Sequence, residues 1–393
     1  MTITPTSAEL VARVRELHPL LAANAAQGEA ERRVADESIK ALDEAGVFRL
    51  AQPERYGGFQ TPMRTLLDVS SAVGEADGGT AWVVSICNVS AWMAGLFPQR
   101  AQDEVWADDP RAKVTGVLAP TAEATKVDGG YRVTGKWFFN SGSWHSDWAL
   151  LGFPVTDDAG QVVDQGLALM PKSDYTVEET WFVAGMKSTG SNCVVVTDRF
   201  VPAHRVLSVP AAVKGEFGTE HTGEALYRSA FAPFLTLVVA GPHLGMGRKV
   251  LEIVREKAAT KAVSHTSYST QASSVGFQLK LAEAAMSLDT AHLHAYRAAD
   301  DIDSAAARGE RLDFLTRARI RADIGWVVEH VTKAVDILLY SHGAGSFAEA
   351  NVLQRFWRDS AVGARHAGSS PVVGYEVYGK ALLGVDELIT PLI

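Results

Sequence analysis

Between Lys136 and Trp148 the chain reads KWFFNSGSWHSDW, setting five aromatic rings beside Asn140, Ser141 and the imidazole of His145. Ring faces can stack a flat ligand, while an amide and small hydroxyls direct hydrogen bonds to its heteroatoms. A histidine adds a group that titrates near neutral pH. Each feature also has a packing explanation: Asn and Ser close strands through local turns, and large rings fill cores.

Familiar catalytic signatures are missing. No Gly-x-Ser-x-Gly elbow, Walker loop or His-Glu-x-x-His occurs. The string GAGSFA, Gly343 to Ala348, matches a dinucleotide fingerprint, but that fingerprint needs a strand before it and here a helical pattern precedes it. His292 and His294 stand two residues apart on a helical segment and so point to different faces. No other His, Cys or carboxylate cluster has ligand spacing, and no metal is expected.

The elements that would position these groups follow from periodicity. With 393 residues the chain exceeds one ordinary core. Up to about residue 111 the pattern is helical. Thr6 to Glu9 forms a capping box ahead of Leu10, Val14, Leu17 and Leu21, and ADESIKALDEAG predicts a helix ended by Gly46. TAWVVSICNVSAWMAGLF is apolar on most faces and predicts a buried helix. From 112 to about 212 the period becomes two. Asp128-Gly129 sits between alternating runs as a hairpin signal, and GLALMP, YTVEETWFV and CVVVTDRFVP are further strand candidates. From 213 to 393 long amphipathic helices return, which suggests a bundle. The expectation is an α+β chain of three domains, 1–111, 112–212 and 213–393, with helices flanking a β domain.

A net charge of −9 with no basic run argues against nucleic acid or an anionic membrane as partner. Cys87 and Cys193 lie far apart in apolar strings and read as buried free thiols, which suits a reducing cytoplasm. The opening MTITPTSAEL has neither the basic nor the apolar part of a signal peptide. The most apolar run, FAPFLTLVVAGPHLGMG, contains Pro233 and Pro242 and is too short to span a bilayer.

At this point the order of elements and several strings resemble the acyl-CoA dehydrogenase fold over nearly the whole chain. The strings are WFVAGMKSTGSNCVVVTDRFVPAHRVL, FQLKLAEAAMSLDTA and LLYSHGAGSFAEANVLQRFWRDS. The resemblance implies an N-terminal helical domain, a central β-barrel domain and a C-terminal four-helix bundle. It also implies that the turn of Gly343 and Gly345 approaches the adenine end of a flavin across a subunit interface. Dehydrogenases of the family commonly carry a glutamate-glycine pair after Arg-Asp. Counting from Arg358-Asp359, Ala367 stands there, and alanine cannot take a proton. APTAEATKVDGGYRVTGKWFFNSGSWHSDW and GGTAWVVSICNVSAWMAGLFPQRAQDEVW instead resemble another branch, the oxygenase components of two-component flavin-dependent monooxygenases.

That likeness implies reduced FAD or FMN from a separate NAD(P)H-flavin reductase, O2, a C4a-hydroperoxyflavin kept from water, and a homotetramer. It places Asn140 and Ser141 at the flavin N5 and C4a edge, Trp82 and Phe138 as ring walls, and Leu118, Pro120 and Thr121 on the pyrimidine side. His366 takes the place of an active-site histidine that acts as acid, base or substrate-orienting group. His145 is a secondary candidate for substrate contact. Ser90 stands where phenol hydroxylases of the group carry a histidine, so an indole or amine substrate fits better than a phenol. N-oxygenation of a nucleotide-linked amino sugar and a true acyl-CoA dehydrogenase are the rival expectations.

Overall fold

The computed structural model describes residues 4–385 and 387–393, so Met1–Ile3 of the opening segment lie outside the described residues. Five helices come first: α1 (Ser7–Glu31), α2 (Asp36–Glu44), α3 (Met63–Ala76), α4 (Gly78–Ala94) and α5 (Gln99–Trp106). The capping box forms as expected, with the Thr6 hydroxyl accepting from the Glu9 amide and the Glu9 carboxylate accepting from the Thr6 amide. Gly46 follows α2 with φ +85°, a left-handed turn that suits glycine. Almost every residue of α4 is buried, as its all-round apolarity requires.

Eight strands follow: β1 (Val114–Val117), β2 (Ala122–Val127), β3 (Gly130–Asn140), β4 (Trp148–Thr156), β5 (Val162–Pro171), β6 (Thr176–Glu178), β7 (Asn192–Pro202) and β8 (Val206–Ser208). They form two sheets, ordered β1-β4-β5-β8 and β2-β3-β7-β6. The Asp128-Gly129 hairpin joins β2 to β3 in antiparallel register. Val133, Trp137, Val194 and Val196 of one sheet meet Leu151, Phe153 and Met170 of the other in a dry layer. The alternate residues Leu150, Leu167 and Leu169 face the helices instead. One sheet is therefore buried on both sides, as period two demands of a sandwiched strand.

The run YTVEETWFV departs from expectation. Only Thr176–Glu178 is strand, and the chain then follows an irregular path to Asn192. The Asn192 side-chain oxygen accepts from the amides of Thr180 and Trp181, replacing the partners a ladder would supply.

The remaining helices are α6 (Val209–Val213), α7 (Phe231–Leu237), α8 (Ala240–Ala258), α9 (Val275–Arg308), α10 (Phe314–His342), α11 (Val352–Gly363) and α12 (Pro371–Leu383). α10 packs on α8, α9 and α12. α3 crosses α8 so closely that a Cβ on Gly245 would collide with the Ser71 carbonyl, and one core spans both helical regions. Cys87 and Cys193 are buried free thiols. Among the described residues no helix is long and apolar enough to cross a membrane, and no group of metal-ligating side chains occurs.

Candidate active site

Five segments from distant parts of the chain converge where the β domain meets the helices. Asp77 fixes the start of α4 by accepting from the Thr80 amide and hydroxyl at 2.8 and 2.7 Å. One turn on, the Trp82 indole N–H donates to Ser141 Oγ (3.1 Å), just past the end of β3. The same indole meets His366 edge-on at 5.4 Å between ring centroids and His243 at 6.2 Å. Trp82 and Ser141, expected on one ligand, are thus in direct contact.

Behind Ser141 runs a chain of hydroxyls. Ser141 Oγ lies 2.7 Å from Ser191 Oγ, which lies 2.6 Å from Thr189 Oγ1, and Thr189 donates to the Met186 carbonyl at 2.8 Å. An indole N–H only donates and a carbonyl only accepts. Without a ligand the protons therefore run one way, from Trp82 through Ser141, Ser191 and Thr189 to Met186. The Met186 carbonyl also accepts from the Trp181 indole (2.8 Å), and its amide donates to the Asp359 carboxylate (2.5 Å). Asp359 is wholly buried. Its own desolvation and then the nearby Asp77 raise its pKa to about 7, opposed by the Met186 amide.

His366 lies in the turn after α11. Its Nδ1 accepts from the Gly368 amide at 3.1 Å, which assigns the proton of the neutral ring to Nε2. Desolvation, then Arg321 and His243, depress its pKa to about 4. The residue surface stays exposed even though protein crowds the ring closely. The Nδ1 bond independently favours the neutral ring. His243, on α8, is fully buried. Its Nδ1–H donates to the Val239 carbonyl (2.9 Å), Nε2 has no partner, and desolvation lowers its pKa. His243 was not expected from sequence, although a lone histidine in the apolar string AGPHLGMG was its visible trace.

At the end of β3 a bulge changes which residues face out. The register shifts between Trp137 and Asn140, and Phe139 takes φ +70°. Phe138 and Phe139 are both exposed as a result, and Phe139 meets Trp181 edge-on at 6.1 Å between centroids. Phe139 is 70% exposed. Asn140 turns inward with 0% exposure, and neither amide atom has a partner among the described residues. It is sealed beneath the surface, not aligned along it. Leu118 is half-buried, its carbonyl accepting from the Gln165 amide nitrogen (2.6 Å). Pro120 and Thr121 are exposed, but the Thr121 hydroxyl proton is already given to the Lys136 carbonyl (2.8 Å), leaving only oxygen lone pairs for a ligand.

Four expected residues stand apart from this cluster. His145 packs beside the α1–α2 turn, its Nδ1 3.7 Å from the Asp36 carboxylate, and desolvation followed by Arg33 lowers its pKa to about 4. Gly343 and Gly345 close α10 about 33 Å along the helix from Arg321, at ~1.5 Å per residue. Within one chain they cannot share a ligand's ring with His366, while a Cβ on either would meet nothing within 4 Å. Ser90 is buried two turns beyond Trp82 on α4.

Exposed faces of Phe138 and Phe139, the half-buried Trp181, a switchable hydroxyl at Ser141 and a neutral imidazole together suit a flat, partly polar group. A flavin ring has that character, so the donor set fits it. Comparison with known proteins agrees. The family described as acyl-CoA dehydrogenase, N-terminal domain, matches residues 4–109, and acyl-CoA dehydrogenase, C-terminal domain, matches residues 237–371. The chain is 34% identical to the oxygenase subunit HsaA of a flavin-dependent monooxygenase from Rhodococcus jostii, across 95% of this chain and 98% of the relative. It is 26% identical to an indole-3-acetate monooxygenase of Pseudomonas putida, across 88% of this chain and 90% of the relative. XiaF from Streptomyces sp., solved with FADH2 and glycerol, superposes with a TM-score of 0.93 at 39% identity, across 98% of this chain and 97% of that one.

Proposed function

The chain belongs to the acyl-CoA dehydrogenase-fold oxygenase components of two-component flavin-dependent monooxygenases, and from that premise we propose that it hydroxylates a small aromatic, indole-like substrate. A separate NAD(P)H-dependent reductase delivers the reduced FAD or FMN. The carrying observation is the convergence of Trp82, Ser141 and His366 beside exposed aromatic faces, where the charged and titratable neighbours depressing His366 are Arg321 and His243.

Bound reduced flavin, with O2, supplies the oxygen atom that is transferred. The chain does the rest. Phe138 and Trp82 wall the ring, and Ser141 turns its hydroxyl toward the flavin edge. Leu118, Pro120 and Thr121 border the pyrimidine side, with Thr121 as acceptor only. Contact through the Asn140 side chain requires the end of β3 to move, because the amide is sealed. His366 presents Nε2–H to the cleft, which favours the substrate-orienting role over proton abstraction. Ser90 supplies no base for a phenol, which favours an indole-like substrate. The acyl-CoA dehydrogenase alternative lacks its carboxylate: Ala367 holds that position, and its carbonyl accepts from Arg321 (2.9 Å). A nucleotide-linked amino sugar suits these aromatic walls less well.

Rapid mixing of the reduced-flavin protein with oxygenated buffer tests the reading. An absorbance transient distinct from oxidised flavin should form without substrate, persist for seconds or longer, and be consumed faster when substrate is present. Direct appearance of oxidised flavin, together with bleaching of bound oxidised flavin by an acyl-CoA, would overturn it.

A homotetramer is part of this reading. Leu279, Met286 and Leu293 repeat every seventh residue along α9 and are each about two-thirds exposed, leaving an apolar stripe bare. The distance from the Gly343–Gly345 turn to His366 likewise calls for a second copy if both serve one flavin. Light scattering should give the mass of four protomers, and Met286→Glu with Leu293→Glu should lower it. A wild-type protein with the mass of one protomer would remove the proposal.

A further inference from the structure

Between α6, the loop before α7, and the α9–α10 turn lies a cavity of about 390 Å³, within the ~300–1,000 Å³ typical of small-molecule sites. Its apolar wall comes from Phe217, Tyr227, Phe231 and Leu312, and its polar wall is dominated by Lys214, Arg311 and Arg317. Neither Lys214 nor Arg311 has a carboxylate partner within salt-bridge distance among the described residues. Arg311 donates to the Lys214 carbonyl, and Arg317 donates to a main-chain oxygen of Ile393 (3.0 Å) while its buried Nε has no partner. The nearby acids are engaged: Glu310 by Arg308 at 2.7 Å, and Asp313 as the α10 cap accepting from the Thr316 amide at 2.7 Å. A fourth cation, Arg228, spends its donors on the Ala306, Ala307 and Gly223 carbonyls and is not available.

Two elements lead from this cavity to His366. Helix α7 runs from Phe231, on the cavity wall, to Thr236, whose methyl lies 3.7 Å from a Cβ built on Gly368 in the His366 turn. Helix α10 runs from Arg317 to Arg321, one turn further in. Arg321 is 8% exposed, and only its Nη2 is paired, to the Ala367 carbonyl. Its Nε and Nη1 are buried without partners, and no acid pairs with it among the described residues. A buried guanidinium with open donors and no counter-charge is costly unless a ligand completes it. Desolvation lowers the pKa of Arg321, and desolvation followed by Arg311 lowers that of Arg317, with Asp313 opposing, as uncompensated cations require.

We propose that the cavity and Arg321 form the receiving site for a substrate that carries an acidic group, such as a carboxylate, on an aromatic body. Arg311 and Arg317 draw the anion inward, and Arg321 holds it beside His366 so that the ring faces the cleft. Naming this anion the substrate rests on the oxygenase reading; the binding of the anion does not.

Matched probes test it: indole-3-acetate against indole-3-acetamide, and 4-hydroxyphenylacetate against its amide, titrated calorimetrically onto the full-length protein at low and high salt. In at least one pair the acid should bind tenfold or more tighter than its amide. Arg321→Gln should shrink that gap to within twofold while leaving amide affinity unchanged, and Arg321→Lys should restore part of it. Arg311→Gln with Arg317→Gln leaves the buried residue in place and should flatten the salt dependence of acid binding. That variant decides the matter if Arg321→Gln does not fold. Equal or absent binding in both pairs, a gap that survives Arg321→Gln, or an unchanged salt slope in the double variant overturns the proposal. The oxygen-dependent transient is read on the wild-type protein without substrate, so its loss there speaks against the oxygenase reading alone.

Discussion

His366→Ala is expected to leave reduced-flavin affinity within about threefold while lowering the substrate-oxygenation step by roughly 10²- to 10³-fold, the usual loss when one aligned donor is removed from a reacting site. Oxygen uptake continues, so the signature is uncoupling: peroxide is released and product per oxygen collapses. The reason lies in the proton placement. With Nδ1 accepting from the Gly368 amide, the neutral ring has only Nε2–H to offer, on an exposed residue. His366→Gln keeps a side-chain N–H and should recover part of the coupling; His366→Asp should not.

The pH profile separates orientation from proton abstraction. Crowding by the protein depresses the pKa of the folded ring toward about 4, against an ordinary histidine value of about 6.5. Coupling should therefore be flat as pH falls from 8 to 5, and a drop centred near 6.5 would mean that the ring titrates normally and acts as a base. For stability the sign is equally definite. A depressed histidine pKa means the unfolded chain takes up the proton first, so any contribution of this ring to stability is lost as pH falls from about 6.5 toward 4.

Why Trp82, Ser141 and His366 could be read as neighbours from sequence while Ser191, Thr189 and His243 could not follows from what each depends on. Trp82, Ser141 and His366 sit in strings whose overall order resembles the oxygenase family, and helix–β–helix order survives small errors in element boundaries. Ser191, Thr189 and Trp181 lie in the stretch that periodicity read partly as strand. Left-handed turns at Met186 and Gly190 reset which hydroxyls face inward, and no alternation rule predicts such a reset. The same applies at Phe139, where one positive φ exposes two consecutive rings and turns Asn140 under them. His145 stands apart for another reason: its surroundings come from the α1–α2 turn, about a hundred residues away in sequence. Arg321 and His243 looked like ordinary helix residues because only the tertiary structure removes their counter-charge or places them against Trp82.

Ser141→Ala and Ser191→Ala are expected to act in opposite directions on the oxygen-dependent transient. For Ser141 to donate to a ligand, it must take its proton away from Ser191. Ser191 can then donate to Ser141, and Thr189 can turn from the Met186 carbonyl to Ser191. That carbonyl is not orphaned, since the Trp181 indole still donates to it at 2.8 Å. The chain can therefore reverse without leaving a buried polar group unpaired, which keeps the change small in energy. Removing the Ser141 hydroxyl forfeits the donor itself and leaves the Trp82 indole N–H unpaired. Decay of the transient should then accelerate by roughly 10- to 100-fold, as loss of about 1.5–3 kcal/mol predicts for a hydrogen bond to a charged partner. Removing Ser191 instead frees Ser141 from its competing acceptor, so decay should be no faster than wild type, and flavin should bind at least as tightly. Thr189→Val should give an intermediate result. Stopped-flow decay of the transient, compared with thermal stability of the same variants, decides the matter. Equal acceleration in both alanine variants would show that the hydroxyl chain only holds the loop in shape and does not set the direction in which Ser141 gives its proton.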